Sequence, residues 1–401
     1  MTQSPAPSPL RDTLIIAVLG LGMMVSFSSS YYLLGVLAGP MTEDLGVNAE
    51  LAFGALSVAF LVSAFLTPFS GRWTDVRGGR EVLVVAAFIF ALSLGVMALA
   101  QGAVLMVAGI SLLGVGMGIG FYGPANALLV AIHGENAKRP ITAISLIGAF
   151  GGAVGWPLTA WLIEQWGWRG ACATWALLNV GLCLPLYWLL LPKQARREAK
   201  AVADGKVKWD ATLIRLAILF ACGWWVATAL ASHLPRVLER LGLTTAEAAM
   251  AAGTMAIAAI AVRLMALVFP VMKQPVAAVR VATMGHPFGV LIAVVGGKAL
   301  AVFVAIGQGL GNGLLSVAAG VLPLHIYGKA NYGLRQGLML MPARFSQAAA
   351  PMMFAAVLDI TVQVALMVTT GLCVTMFLMT LGIGAQKGTA GLTVAVGRAA
   401  E

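Results

Sequence analysis

Two arginines stand alone inside long uncharged stretches, and a guanidinium in that setting is chemistry for an anion. Arg263 lies in AAMAAGTMAIAAIAVRLMALVFP, residues 248–270, and Arg344 lies in LMLMPARFSQAAAPMMFAAVL, residues 338–358. Neither stretch holds an Asp or Glu. A lone charge at the level of hydrocarbon costs about 2.5–3.5 kcal/mol even on insertion scales, so it turns to a bundle interior or a watery cavity. Guanidinium presents a planar fork of donors that matches carboxylate or phosphate oxygens. The competing reading has Arg263 snorkelling to an interface and Arg344 donating to backbone carbonyls.

Other polar residues in apolar stretches are candidates to complete such a site. Tyr31, Tyr32 and Tyr122 carry hydroxyls, although tyrosine also serves as packing or as an interface anchor. Gln308 and Asn312 are one helical turn apart and share a face, from which they reach either a substrate or a neighbouring helix. His286 titrates near neutrality when unperturbed, and the pair Trp224-Trp225 shapes a cavity or packs a core.

The chain offers no means for intramembrane catalysis: no nucleophile with a base, no metal cluster and no paired carboxylates occur within its apolar segments. ATP-driven work is unsupported, since no G-x4-GK[ST] stretch is present. Cys172, Cys183, Cys222 and Cys373 fall in apolar segments without metal-ligand spacing and read as small packing residues. We expect no cofactor and no resident metal.

The elements that must position these residues are membrane spans. Of 401 residues, 60% are hydrophobic and 10% charged, against about 25% charged in a soluble domain. A span needs about 20 apolar residues. On that rule twelve are expected, near 13–38, 50–71, 81–100, 103–132, 141–163, 170–192, 211–233, 246–270, 276–297, 299–325, 337–358 and 362–384. The first reads as a span and not as a cleaved signal, for lack of an A-x-A site.

The formal charge of +10 sits in short loops, so it sets orientation and does not suggest nucleic acid. Most Lys and Arg fall on one side: Arg72, Arg77 and Arg80, then Lys138 and Arg139, the stretch 193–210, Lys273 and Arg280, then Lys329 and Arg335. The other side receives Arg169, Arg236, Arg240 and Lys298, with Glu43 and Asp44. The basic side is expected to be cytoplasmic, with both termini on it. The basic stretch 193–210 divides an N-terminal half, 1–192, from a C-terminal half, 211–401, each of six helices, and reads as a linker beside anionic lipid. The halves repeat weakly: Gly114, Gly116 and Gly118 answer to Gly307, Gly309 and Gly311, and Pro157 to Pro351. Pseudo-symmetric halves of this kind place a transporter's site near the midplane between them.

The loop after the second span, Gly71-Arg-Trp-Thr-Asp75-Val-Arg77-Gly78-Gly-Arg80, fits G-x3-D-x2-G-x-R, and through it the chain resembles the major facilitator superfamily over nearly its whole length. The resemblance implies an all-α membrane fold and a gating role for Gly71, Asp75, Arg77, Gly78 and Arg80 as a charged latch. The family's arginine at the head of the glycine-rich fourth span falls here near Ile110, and the fifth span has only Gly151-Gly-Ala-Val-Gly155-Trp-Pro157 of the antiporter pattern. Neither proton coupling by that arginine nor antiport is therefore implied. Ser26-Phe-Ser-Ser-Ser-Tyr31-Tyr32-Leu-Leu-Gly-Val-Leu, then Glu43-Asp-Leu-Gly, resemble the monocarboxylate and oxalate:formate transporter group. That group places cations in spans eight and eleven, where Arg263 and Arg344 stand.

The expectation is a secondary or facilitative carrier of a small organic anion, a mono- or dicarboxylate, working by alternating access. Arg263, Arg344, Tyr31, Tyr122, Gln308 and Asn312 are its expected binding residues. Its partners are the anion and the lipid bilayer of a cell inner membrane, and it is expected to act as a monomer. The alternative is an exporter of amphipathic drugs or of a metalloid oxyanion.

Overall fold

Among the described residues all regular structure is helical. The structure, a computed structural model, describes residues 9–194, 207–269 and 274–383. Most of the basic linker, Lys273 and the last residues lie outside that range. Among the described residues, nine helical stretches are long and apolar enough to cross a membrane, and one of them, Ala103–Leu190, holds several helices in sequence. The whole is consistent with twelve crossings.

In the first half, α1 (Pro9–Ser28) and α2 (Leu34–Asp44) form one broken crossing. Next come α3 (Ala49–Arg77) and α4 (Gly79–Ala98), then α5 (Ala103–Gly120) and α6 (Tyr122–His133), a second broken crossing. Short α7 (Lys138–Gly148) leads into α8 (Phe150–Leu178), which is two limbs joined at Gly167, where φ is +69. The limbs lie side by side, since Trp175 Nε1 donates to Thr159 Oγ1 at 3.0 Å. A π turn, Asn179–Cys183, precedes α9 (Leu184–Leu190).

The second half has unbroken crossings: α10 (Ala211–Arg240), α11 (Thr245–Val268), α12 (Pro275–Gly296), α13 (Val302–Tyr327), α14 (Tyr332–Ile360) and α15 (Val362–Leu381). Local chemistry sets several starts. Asn48 caps α3 by accepting from Leu51 N at 2.9 Å, and Thr244 with Glu247 forms a reciprocal capping box on α11. Lys298 pairs with the same Glu247 at 3.0 Å. Helix α14 is not among the nine apolar stretches because Gln336, Arg344 and Gln347 replace hydrocarbon along its buried face.

Helices approach closely where glycine removes a side chain, the usual device where no water is present to drive helices together. A Cβ on Gly114 would strike the Ala59 carbonyl of α3, and one on Gly309 would strike the Met255 carbonyl of α11. The fourth crossing thus packs on the second as the tenth packs on the eighth. Between the halves, α3 runs along α14, and α6 and α7 meet α11, α13 and α14. The loops bearing Arg77 and Lys138 lie at this end, called here the basic end. Gly71 faces Gly333 there with no room for a Cβ on either, so the molecule is closed on that side.

Candidate functional site

Breaks in two helices create the site. Between α1 and α2 the regular helix is interrupted by turns at Ser29–Leu33, and between α5 and α6 the chain turns extended at Phe121 (φ −80, ψ −162). Tyr31 and Tyr32 sit on the first break and Tyr122 follows the second. Irregular backbone at membrane depth persists where it lines a cavity, and here it does. The cavity, ≈ 150 Å³, is lined from the first half by Phe27, Tyr31, Tyr32, Phe121 and Tyr122, and from the second by Trp224, Arg263, Asn312, Ser316, Arg344 and Gln347.

Both arginines are buried, Arg263 at 8% exposure and Arg344 at 9%. No ion pair with Asp or Glu reaches either one among the described residues. Their supports differ. Arg263 donates from Nε (3.1 Å) and from a terminal nitrogen (2.8 Å) to Ser316 Oγ, and from the other to the Ala259 carbonyl at 3.0 Å. Ser316 donates its own hydroxyl hydrogen bond to the Gly313 carbonyl at 2.8 Å, leaving its lone pairs for the arginine. Its oxygen is also 3.4 Å from Ser145 Oγ of α7, a contact across the halves.

Arg344 donates once, to Gln347 Oε1 at 2.7 Å, and its Nε is buried without a partner. Its guanidinium carbon lies 5.2 Å from the centre of the Phe121 ring, which offers the π face to a cation. Gln347 in turn donates to Thr228 Oγ1 at 3.2 Å, and Tyr31 Oη is 3.5 Å from the same oxygen. Behind these groups the rings of Phe27 and Phe121 stack at 4.2 Å with 7° between planes.

The structure brings Tyr31, Tyr122, Asn312, Arg263 and Arg344 to one cavity. Gln308 it places elsewhere. That side chain lines a smaller pocket of ≈ 10 Å³ with His286, Thr283 and Cys373, to which Asn312 also belongs. One turn of α13 is enough to move a side chain off the main cavity into a pocket lined by residues of α10, α12 and α15. His286 is buried and its Nε2 is 2.9 Å from Thr369 Oγ1. Trp225 packs on Phe354 and not into the main cavity. All four cysteines are free thiols, and none lines the main cavity.

Residues of the loop motif divide the same way. Asp75 accepts from the backbone N–H of Gly333 at 2.9 Å and of Leu334 at 2.8 Å, so its carboxylate caps the N-terminus of α14 from the other half. An anion there is favoured by the unsatisfied N–H groups and the helix dipole. Gly71 makes the close approach beside it, and Gly78 turns the chain at φ +93. Arg80 lies over the Trp188 ring at 4.8 Å, within its own half, and Arg77 ends α3 exposed.

Sequence reasoning passed over Ser316, Gln347, Asn126 and Gln336, all of which line the cavity. Three of them stand three or four residues from a residue already singled out: Ser316 from Asn312, Gln347 from Arg344 and Asn126 from Tyr122. That helical spacing was the available signal.

The profile of the Major Facilitator Superfamily matches residues 19–306. A gallate transporter of Pseudomonas putida is 29% identical over 191 residues, which cover 47% of this chain and 42% of that relative. The purine ribonucleoside efflux pump NepI of Shigella sonnei (strain Ss046) is 24% identical over 155 residues, 38% of either chain. Each match thus spans less than half of the relative. Among solved structures, the human organic anion transporter MFSD10 (TETRAN) superposes with a TM-score of 0.71 at 18% identity, over 94% of this chain and 100% of that one. The E. coli fucose:proton symporter gives 0.69 at 13% identity, over 91% and 97%. At such identities the likeness is one of fold.

Proposed function

From the premise that the chain belongs to the Major Facilitator Superfamily and is a multi-pass membrane transporter, not an enzyme, we propose that it carries a small organic anion, a mono- or dicarboxylate. The observation that carries this reading is the pair of buried guanidiniums on one cavity, with no carboxylate to neutralise them among the described residues. A relative named as a gallate transporter supports an organic anion as cargo.

In this proposal Arg344 and Arg263 clamp the carboxylate. Tyr31 and Tyr122 offer hydroxyls from the first half, and Asn312 offers its amide from the second. Gln308 acts behind this face, supporting Asn312. With the charge neutralised, residues 1–192 and 211–401 rock about the site, joined by the linker 193–210. In this proposal the basic end is cytoplasmic, a reading the bias of Lys and Arg in the loops supports, and the protein works as a monomer in a cell inner membrane. Asp75 on the α14 N-terminus is the latch that holds the cytoplasmic side shut, with Gly71 and Gly78 giving the close approach and the turn. Arg77 and Arg80 are its electrostatic surroundings.

Export of a neutral amphipathic molecule would leave both arginines without a counter-charge through the cycle. A thiophilic metalloid would want a cysteine, and the main cavity presents none. The test is binding and counterflow in proteoliposomes with labelled carboxylates against labelled nucleosides and amphipathic cations. Carboxylate exchange that is lost in Arg344→Gln supports the proposal. Saturable transport of neutral or cationic compounds, unaffected by that substitution, would overturn it.

A further inference from the structure

Arg344 comes with an acceptor of its own, and that acceptor is neutral. Gln347 stands three residues on along α14, at a spacing where two side chains of a helix meet. Its Oε1 accepts from a terminal nitrogen of Arg344 at 2.7 Å. An amide oxygen satisfies that donor without cancelling its charge. A carboxylate at the same place would close an internal ion pair, and the guanidinium would need no anion. Gln347 is 5% exposed and lines the cavity beside Arg344, so a ligand that reaches one side chain meets the other.

The two acceptors then compete. A carboxylate grips a guanidinium through two adjacent nitrogens. When it takes the terminal pair, one of its oxygens comes beside Gln347 Oε1. Both oxygens carry negative charge and repel. A charge-assisted bond is about twice as strong as a neutral one, so the amide oxygen is the one to leave.

Its departure is felt in the first half. Nε2 of the same amide donates to Thr228 Oγ1 of α10 at 3.2 Å, and Tyr31 Oη, on the break between α1 and α2, stands 3.5 Å from that oxygen. Hydroxyls in a full hydrogen bond are closer, about 2.7–2.8 Å apart. In the empty site Arg344 holds Gln347, and Gln347 holds Thr228. Once the amide lets go, Thr228 is free to bond Tyr31 at full strength, and that bond crosses the halves.

Building on the anion reading above, we infer that Gln347 is a neutral placeholder for the anion at Arg344 and the positioning residue that couples its arrival to Tyr31. The anion displaces Gln347, Thr228 exchanges its amide partner for Tyr31, and the halves are drawn together over the filled site.

The experiment measures binding of succinate and of benzoate to the purified full chain by calorimetry, and their exchange in proteoliposomes. Q347M keeps the bulk and removes the acceptor. Binding should tighten by about 2- to 12-fold, the worth of one ordinary hydrogen bond that need no longer be given up. Exchange should slow by about the same factor, because Thr228 is then free whether or not the site is filled. T228V should slow exchange likewise while binding stays within about twofold. Q347E should act the other way on affinity, weakening binding by about 10- to 150-fold, since its carboxylate takes the charge-assisted contact. Tighter binding with slower exchange is a split that general damage to the fold does not produce. Weaker or unchanged binding in Q347M overturns the placeholder and leaves the arginine clamp standing. Unimpaired exchange in both Q347M and T228V overturns the link to Tyr31. If Q347M does not fold, Q347A takes its place with the same expectations. Failure of both acids to bind the unsubstituted chain removes the anion reading itself, and this inference with it.

Discussion

Arg344 and Arg263 are buried alike and held differently. Arg263 rests on three hydrogen bonds, two to Ser316 and one to the Ala259 carbonyl, so three of its five N–H donors are engaged before any ligand arrives. Arg344 has one bond to Gln347, a phenyl face beside it and a buried Nε with no partner. A donor already satisfied gains little from a new acceptor, because binding exchanges one hydrogen bond for another. A donor left dry gains the whole contact. The difference makes Arg344 the demanding member of the pair and Arg263 the poised one.

The largest effect should therefore come at Arg344. We expect Arg344→Gln to weaken carboxylate binding by about 10- to 150-fold, the loss of a charge-assisted contact of roughly 1.5–3 kcal/mol. Arg344→Lys should recover little, since an ammonium lacks the planar fork that matches a carboxylate. Calorimetry on the two variants measures both, and near-normal affinity in Arg344→Lys would sink the bidentate reading.

At Arg263 the same substitution should cost less, about 2- to 12-fold, because the net gain of a ligand contact over the Ser316 bonds is only about 0.5–1.5 kcal/mol. Ser316→Ala sharpens the contrast: freeing the Nε and one terminal nitrogen of Arg263 should move the two arginines toward equal importance. If Arg263→Gln instead proves more damaging than Arg344→Gln, the hydrogen bonds each arginine makes in the empty site do not set its worth to the ligand.

Asp75 tests whether the arginine site and the latch are separable. Asp75→Asn keeps an oxygen for one of the two N–H groups of α14 but loses the charge at the helix end, worth about 0.3–1 kcal/mol. That corresponds to roughly a two- to fivefold shift toward opening at the basic end. Substrate affinity should stay within that range while transport changes more. Cysteine accessibility at the basic end, measured beside binding, distinguishes the cases: lost binding with unchanged accessibility would contradict the latch.

How much of this the sequence discloses depends on the range of each interaction. Arg263 and Arg344 were visible because a charge in hydrocarbon is conspicuous on its own, and the crossings because they need only a run of apolar residues. The loop motif pointed to Asp75 but not to its partners, which are backbone N–H groups 258 and 259 residues away and carry no side-chain signature. The unbound Nε of Arg344 and its one bond to Gln347 depend on what every neighbour does with its own hydrogen bonds. Gln308 shows the limit of spacing: one turn from Asn312, it still lies in the smaller pocket, because the width of a helix face is set by the helices packed around it. The break at Ser29–Leu33 has no proline within it, whereas the one at Phe121 is flanked by Gly120, Gly123 and Pro124, a helix-breaking signal that sequence reasoning left unused.

A third arginine gives the smallest expected effect and the control for the other two. Arg169 is bonded to Asp44, with side chains 42% and 48% exposed, and it also donates to the Ala100 carbonyl at 2.8 Å. Trp168 Nε1 donates to the same carboxylate at 3.2 Å. Asp44 is held below the usual carboxylate range, first by the Arg169 hydrogen bond and then by that of Trp168. A carboxyl depressed on folding adds stability above its unfolded value, and that stability is lost as pH falls through the lower folded value. Asp44→Asn should thus lower the melting temperature slightly at neutral pH, and the gap to the unsubstituted protein should close below about pH 3.9, the ordinary aspartate value. Added salt should narrow it too, because both groups meet solvent. Ligand affinity should not move, since water solvates Arg169 once its partner is gone. Were Asp44→Asn to weaken carboxylate binding as far as Arg344→Gln does, burial without a counter-ion would no longer explain why two arginines among many form the site.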